Sequence, residues 1–155
     1  MKRVQTLGIL VLFLCMLITA CSNADAKITI AAGTTTGAAG DTVEIPVTIN
    51  EDSNVAAADI FVVYDTSKLS YVGYDHSTTF DPNIKTANLE QEGRFHYALA
   101  TVTPYTEAGT VFTLQLKIAD DATGTIPLTV EVETLVDSDS SDLKVKTVNG
   151  SITVE

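Results

Sequence analysis

The stretch TVFTLQLKIADDATGTIPLTVEVETL, residues 110–135, decides the fold class of this chain. In its first half every second residue from 112 to 118 is large and apolar, and the second half repeats the pattern from 126 to 132. Alternation with a period of two places one set of side chains on each face of a β-strand. Residues 120–124, DDATG, interrupt the alternation with the small and polar residues of a turn. The stretch therefore predicts two half-buried strands, at 110–119 and 125–135.

Similar short segments extend outward from this pair in both directions. They predict strands at 27–32, 42–49, 55–65, 69–74, 84–90 (less regular), 94–102 and 143–154, the last broken at Asn149-Gly150. Pro46 lacks a backbone donor, which predicts an edge position or a bulge for its strand. No segment has a sustained apolar stripe with a period of 3.6 residues. About nine short strands at roughly 8–12-residue spacing predict an all-β sandwich.

The charge and the cysteines exclude several classes of function. The 155 residues contain 9 Lys+Arg and 20 Asp+Glu, a formal net charge of −11. A strongly acidic chain repels phosphates, so nucleic-acid binding is not expected. The two cysteines, Cys15 and Cys21, are too few for a disulfide scaffold or a four-cysteine zinc site.

The N-terminus has the features of a targeting signal. Lys2 and Arg3 precede the apolar run 7–18, which is shorter than the roughly 20 residues that a membrane span needs. The run ends in Ile18-Thr19-Ala20-Cys21, which resembles a bacterial lipoprotein signal. The resemblance implies cleavage before Cys21 and lipid on that cysteine. The alternative is an ordinary secretory signal with a chance cysteine.

The predicted domain organisation follows from this signal. Residues 1–20 are the signal peptide, 21–26 the lipidated cysteine and a short tether, and 27–155 the sandwich domain. The mature chain has 7 Lys+Arg and 20 Asp+Glu, a net charge of −13. We expect it outside the cytoplasm, anchored to the cell membrane or the outer membrane through its lipid.

Three segments in order carry a resemblance to a known family. They are GAAGDTVEIPVTI (37–49), AAADIFVVYDTSKLSYVGY (56–74) and LKVKTVNGSITV (143–154). Together they resemble a cohesin domain, the receptor module of cellulosome scaffoldins. The resemblance implies a nine-stranded jelly-roll β-sandwich that binds dockerin-bearing proteins, such as extracellular polysaccharide-degrading enzymes. It implies calcium on the dockerin and no cofactor on this chain.

The resemblance also implies which residues contact the dockerin. Cohesins commonly use one flat sheet face, and matching positions here are Ala57, Asp59, Phe61, Val63, Leu89, Ala98, Ala100, Thr101, Glu131 and Glu133. The alternation agrees for one strand: if 58, 60, 62 and 64 fill the core, then Asp59, Phe61 and Val63 face outward, and exposed apolar groups suggest a partner surface. The alternative is a central strand covered on both faces. Many cohesins have Asn where this chain has Ala57, which leaves the dockerin type open.

The other polar residues give only weak indications of a metal site or a catalytic site. Asp137, Asp139 and Asp142 form a D-x-D-x-x-D loop of calcium-type oxygen ligands, but the spacing, glycine and final glutamate of an EF-hand are missing, which favours a solvated turn. The two histidines, His76 and His96, lie in no pattern typical of a nucleophile, base and acid. The sequence therefore predicts a protein that is not an enzyme.

Two other functions remain open for a sandwich of this kind. A carbohydrate-binding module would present exposed aromatic rings, for which Tyr74, Phe80 and Tyr105 are the candidates, although the chain has no Trp. A structural surface adhesin would use the sandwich as a spacer, which the short tether disfavours.

Overall fold

Residues 26–50, 54–78 and 80–155 are described by the computed structural model, and over these ranges they form eleven strands and no helix. The strands are β1 (Ile28–Ala32), β2 (Thr34–Gly37), β3 (Thr42–Ile49), β4 (Val55–Val63), β5 (Leu69–His76), β6 (Ile84–Gln91), β7 (Arg94–Tyr105), β8 (Gly109–Ile118), β9 (Gly124–Val136), β10 (Val145–Val148) and β11 (Gly150–Val154).

The strands form two sheets that enclose one core. The five-stranded sheet has the order β10-β1-β3-β8-β5, and the six-stranded sheet has the order β2-β11-β9-β4-β7-β6. Two pairs, β1 with β10 and β2 with β11, are parallel, and the other pairs are antiparallel. The predicted all-β sandwich is thereby confirmed.

The stretch that predicted the fold forms β8 and β9, which are interior strands of their sheets. Its alternating apolar residues are buried in the core: Phe112, Leu114, Leu116, Ile118, Ile126, Leu128 and Val130. The first four belong to β8 and the others to β9, so the two strands lie in different sheets. The turn between them therefore crosses from one sheet to the other.

Eleven strands replace the nine expected because two strands change sheet partway along. The chain leaves the five-stranded sheet after β1 and after β10, and it enters the six-stranded sheet as β2 and as β11. The predicted break at Asn149-Gly150 is confirmed, and the Asn149 side chain accepts a hydrogen bond from the Val130 N–H. Strand β2, TTTG, has no apolar residue, so alternation could not reveal it.

Pro46 does not lie at an edge of its sheet, because β3 pairs with β1 on one side and with β8 on the other. The expected irregularity is present one residue later, where the β3–β8 register shifts between Val47 and Thr48. The ladder between β1 and β3 ends at Val47, and the Pro46 carbonyl accepts a hydrogen bond from the Gly33 N–H. The proline thus sits where β1 leaves the sheet, which is a place where a missing donor is tolerated.

The two crossing segments approach each other too closely for a side chain. A Cβ atom built on Gly150 would lie 2.2 Å from the Gly33 carbonyl oxygen and 3.0 Å from the Ala32 Cβ. We expect Gly150→Ala to lower the free energy of unfolding by about 3 kcal/mol, because backbone on two crossing strands must move. Urea unfolding measures this change. Gly124→Ala is an unsuitable comparison because of its positive φ, so Thr125→Ala, an exposed position on β9, is the control. Equal midpoints for both variants would show that the crossing is loosely packed.

The ladder between β1 and β3 shows at which end of the sandwich β1 begins. Because β1 is antiparallel to β3 and begins beside the end of β3, it starts at the end of the sandwich where β4 begins and β7 ends. The predicted signal peptide, Cys21 and most of the tether lie outside the described residues. No helix long and apolar enough to span a membrane occurs in the described ranges.

Candidate functional site

The outer face of the six-stranded sheet is the side that points away from the core. At its centre β4 places Ala57, Asp59, Phe61 and Val63 on this face, alternating with the buried residues Ala58, Ile60 and Val62. Phe61 is absent from the core cluster that contains its two neighbours, Ile60 and Val62. The predicted orientation of the strand is confirmed.

Cross-strand pairing arranges the outer face in rows that run across β9, β4, β7 and β6. The first row, here called the apolar row, contains Val136, Ala57, Ala100 and Ile84. The next row contains Thr134, Asp59, Ala98 and Thr86. The third row, here called the aromatic row, contains Glu131, Phe61, His96 and Asn88. Directly opposed residues of an antiparallel pair share a face, so each row is a continuous strip of surface.

The apolar row is flat and partly open to solvent. Ala57 and Ala100 are half-buried, and Ile84 is 67% exposed. Val102, 85% exposed, follows two residues after Ala100 on β7. Small side chains at the centre and larger apolar ones at the margin leave a shallow surface without charge.

Phe61 is covered, contrary to the expectation that it is an exposed apolar group. Its side chain is only 2% exposed. The His96 ring stacks on it, with centroids 4.3 Å apart and planes at 13°, and the Arg94 Cζ atom lies 3.6 Å from the ring centre. Two groups this close to the ring centre cannot share one side of it, so they cover both of its faces. Phe61 therefore stabilises the outer face rather than forming an open contact.

The acidic site residues are held by the same two side chains. Arg94 Nη2 donates to Glu133 Oε1 at 2.7 Å and lies 3.4 Å from Glu131 Oε2, while His96 Nε2 is 3.0 Å from Asp59 Oδ1. Glu131 and Glu133 are 47% and 62% exposed, so these ion pairs contribute modestly to stability. They fix where the carboxylates point. The sequence analysis did not select Arg94 or His96, since only the β4–β7 register shows that they lie opposite Val63 and Phe61.

Two of the predicted contact residues lie elsewhere. Leu89 pairs with Phe95, which is fully buried in the core, so Leu89 lies on the inner side of the edge strand β6, and its placement on the outer face is wrong. The outer residues of β6 are instead Ile84, Thr86 and Asn88. Thr101 follows Ala100 on β7 and lies beyond the apolar row, where its hydroxyl group bonds to Asn83 Oδ1 at 3.1 Å. It belongs to the rim of the outer face.

His76 lies against the core on the other sheet. Its Nδ1 atom is 2.8 Å from the Tyr97 hydroxyl oxygen, and its Nε2 atom is buried without a hydrogen-bond partner among the described residues. Burial raises the pKa of Tyr97, so the phenol keeps its proton and can donate it to Nδ1. Burial lowers the pKa of His76, and the nearby Lys85 ammonium lowers it further. This histidine is therefore neutral in the folded protein at pH 7.

The lowered pKa of His76 predicts a pH dependence of stability. The unfolded chain takes up a proton on this residue near the ordinary histidine pKa of about 6.5, whereas the folded chain takes it up only at lower pH. The free energy of unfolding should therefore fall as the pH drops below about 6.5, until the folded pKa is passed. Urea unfolding at about pH 7.5 and about pH 5 should show a smaller loss for His76→Gln than for the wild type. Equal losses would contradict a neutral, half-buried His76.

The loop with three aspartates, the candidate calcium site, is held by its own hydrogen bonds. The Asp137 Oδ1 atom accepts hydrogen bonds from the N–H groups of Asp139 and Ser141, so the loop containing Asp137, Asp139 and Asp142 is a closed turn. The described residues contain no group of three or more His, Cys, Asp or Glu placed to hold a metal ion.

The aromatic candidates for a glycan platform are packed inward. Phe80 is 2% exposed and meets Tyr105 edge to face, with centroids 4.5 Å apart. Tyr74 packs against the core beside Phe95 and Tyr97. The large exposed hydrophobic residues in the described ranges include no aromatic residue. These three rings therefore form no exposed platform.

Comparison with known protein families identifies a match over nearly the whole sandwich. Residues 28–154 match the family model described as cohesin domain. A comparison with curated proteins found no match.

Several solved structures have the same fold. CaCohA2 of Clostridium acetobutylicum, solved in complex with a CaDoc0917 variant, is 26% identical, with a TM-score of 0.77 over 83% of this chain and 99% of that chain. A non-cellulosomal cohesin from the archaeon Archaeoglobus fulgidus is 20% identical, with a TM-score of 0.75 over 84% and 92% of the two chains. The cohesin of the type I Coh-OlpA-Doc918 cohesin–dockerin complex from Clostridium thermocellum is 18% identical, with a TM-score of 0.74 over 83% and 99%.

Proposed function

Since the chain belongs to the cohesin domain family, we propose that it is a non-catalytic receptor that binds a dockerin-bearing protein through the outer face of the six-stranded sheet. The observation that carries the proposal is the apolar row. Its centre, Ala57 and Ala100, offers a flat and uncharged surface, and Ile84 and Val102 add exposed apolar area at its margin. Surfaces of this kind are typical of sites that bury a partner.

The rest of the outer face supports the same assignment by its rigidity. Phe61 is held between Arg94 and His96; Arg94 also holds Glu131 and Glu133, and His96 holds Asp59. A surface whose side chains are already fixed loses little conformational entropy when a partner binds. We expect the apolar row to supply most of the binding energy, and the aromatic row to fix the orientation of the partner.

Family membership also bears on the identity of the partner. A dockerin was bound to a cohesin of similar fold in the Clostridium thermocellum complex. The partner of this chain is then a dockerin-bearing protein, such as an extracellular enzyme that degrades polysaccharides. The archaeal neighbour is named a non-cellulosomal cohesin, so a partner outside a cellulosome is compatible with the fold.

The proposed receptor is attached to a membrane through lipid on Cys21. The support is the sequence Ile18-Thr19-Ala20-Cys21 after an apolar run. Five tether residues, 22–26, reach roughly 18 Å when extended, which would hold the sandwich close to the lipid surface. The tether would join at the end of the sandwich that also carries the apolar row, because β4 begins and β9 ends there. The partner would then be captured near the membrane.

The two alternative functions have less support. Direct glycan binding through Tyr74, Phe80 and Tyr105 would need rings that are open to solvent, and these rings are packed inward. An adhesin that acts only as a spacer leaves the unpaired apolar row without a role.

A pulldown that depends on calcium tests the proposed function. Residues 26–155, which contain both sheets and the whole described core, are immobilised and exposed to the host secretome with calcium or with a chelator. Because dockerins fold on calcium, we expect dockerin-bearing proteins, identified by mass spectrometry, to be retained with calcium and lost in chelator. Capture of other proteins alone, or capture that chelator does not change, would contradict the proposal.

A further inference from the structure

The end of β7 departs from the regular sheet in a way that the proposed receptor function does not require. Val55 pairs with Tyr105 and Ala57 pairs with Ala100, so four residues of β7 lie opposite the single residue 56 of β4. Residues 101–104 therefore bulge out of the ladder. Large bulges redirect side chains and are common beside functional sites.

A cavity lies beside this bulge, at the end of the sandwich where β1 begins. Its volume is about 360 Å³, within the range of small-molecule sites. Asp81, Asn83, Thr103 and Glu107 are among the residues that line the wall, and the Asp81 carboxylate is paired with the Lys85 ammonium group. Tyr105, which meets Phe80 edge to face, contributes an aromatic surface to the same wall.

Hydrogen bonds fix the bulge before any ligand arrives. Asn83 Oδ1 accepts from the Thr101 hydroxyl group at 3.1 Å and from the Val102 N–H at 2.9 Å. The Thr103 N–H donates to Thr101 Oγ1 at 3.2 Å, and the Thr101 hydroxyl group lies 3.0 Å from the Thr103 carbonyl oxygen. The side-chain oxygen of Asn83 is thus used inside the protein to hold the bulge. A cavity held in this way loses little entropy on binding.

The chemistry of the wall selects among classes of ligand. Glu107 and the net charge of −11 disfavour anions, while the charge of Asp81 is balanced by Lys85. The described residues contain no group of three or more side chains suited to a metal ion. Sugar hydroxyl groups each donate and accept, so they match a wall of carboxylates, amide and hydroxyl groups, and the C–H face of a pyranose ring packs on an aromatic ring.

We propose that this cavity binds a pyranose unit of a neutral polysaccharide. The site is distinct from the apolar row and from an exposed aromatic platform, because its ligand enters a recess and is held chiefly by hydrogen bonds. It would give the receptor a contact with glycan next to the site that captures its partner.

Titration of ¹⁵N-labelled residues 26–155 with cellotriose, xylotriose and chitotriose, each to about 10 mM, tests the site by NMR. We expect saturable shifts for at least one trisaccharide at the amides of Asn83, Val102, Thr103 and Glu107. Thr103→Val and Glu107→Gln should each weaken that affinity by at least about tenfold, since the first removes a hydroxyl group and the second replaces a charged acceptor with a neutral amide. Thr103 uses only its backbone in the bonds that fix the bulge, so Thr103→Val should leave the fold intact.

Thr129→Val, on the exposed surface of β9, is the control and should bind the trisaccharide as the wild type does. Absence of saturable shifts with all three trisaccharides would overturn the proposal. So would equal shifts with glycerol, or binding that both cavity variants leave unchanged. Because dockerin capture is measured separately, failure here leaves the proposed receptor function standing.

Discussion

Ala100→Arg is expected to weaken capture of the dockerin-bearing partner by at least about a hundredfold, or about 2.8 kcal/mol. Ala100 lies at the centre of the apolar row, between Ala57 on β4 and Ile84 on β6. An arginine there would raise a long charged side chain above a flat apolar surface, so a partner would have to bury the charge or stand away from the sheet. The variant should fold, because the new side chain points into solvent. Isothermal titration calorimetry with the captured dockerin measures the loss.

Val72→Arg is the matched control for this prediction. Val72 is 51% exposed on β5, in the five-stranded sheet, so the same charge is introduced at a partly exposed position on the other sheet. Its dockerin affinity should equal that of the wild type. Equal affinities for Ala100→Arg and Val72→Arg, with both proteins folded, would remove the apolar row from the interface.

Phe61→Ala is expected to lower the free energy of unfolding by about 3 to 4 kcal/mol, measured by urea unfolding. The ring is 2% exposed, so its removal leaves a cavity on the outer face. The variant also loses the stacking with His96 and the cation–π contact with Arg94. Without the ring beneath it, the Arg94 side chain is less well fixed, and so are Glu131 and Glu133, which it binds. Dockerin affinity should therefore fall as well.

Thr129→Ala provides the comparison for Phe61→Ala, because Thr129 is exposed on the neighbouring strand β9 and pairs with Val63. We expect its free energy of unfolding to lie within about 0.5 kcal/mol of the wild-type value. A loss below about 1 kcal/mol for Phe61→Ala would mean that Arg94 and His96 do not cover the ring.

Alternation along single strands was enough to predict the faces of β4, β8 and β9. It requires only that each strand be regular and that one face be buried. It therefore placed Asp59, Phe61 and Val63 on the correct side of the sheet. It could not show that Phe61 is covered, because the covering groups, Arg94 and His96, lie on β7, more than thirty residues away in the chain. Only the pairing of β4 with β7 brings them beside Phe61.

Irregular strands account for the predictions that were wrong or incomplete. Strand β6 has apolar residues on both faces, with Ile84 outward and Ala87 and Leu89 inward, so alternation could not assign the face of Leu89, which only its pairing with Phe95 shows. The predicted strand 94–102 continues in the structure to Tyr105 through the bulge at 101–104, which interrupts the alternation. The rim of the outer face and the cavity beside it therefore became visible only in the folded chain.

The proposed dockerin surface is the outer face of the six-stranded sheet. The most direct measurement is an NMR titration of ¹⁵N-labelled residues 26–155 with the calcium-loaded dockerin recovered from the pulldown. We predict that amide shifts concentrate on the apolar row and the adjoining parts of β4, β6, β7 and β9, with the five-stranded sheet little affected. Shifts concentrated on β3, β5 and β8, with Ala57 and Ala100 unchanged, would show that the dockerin binds elsewhere.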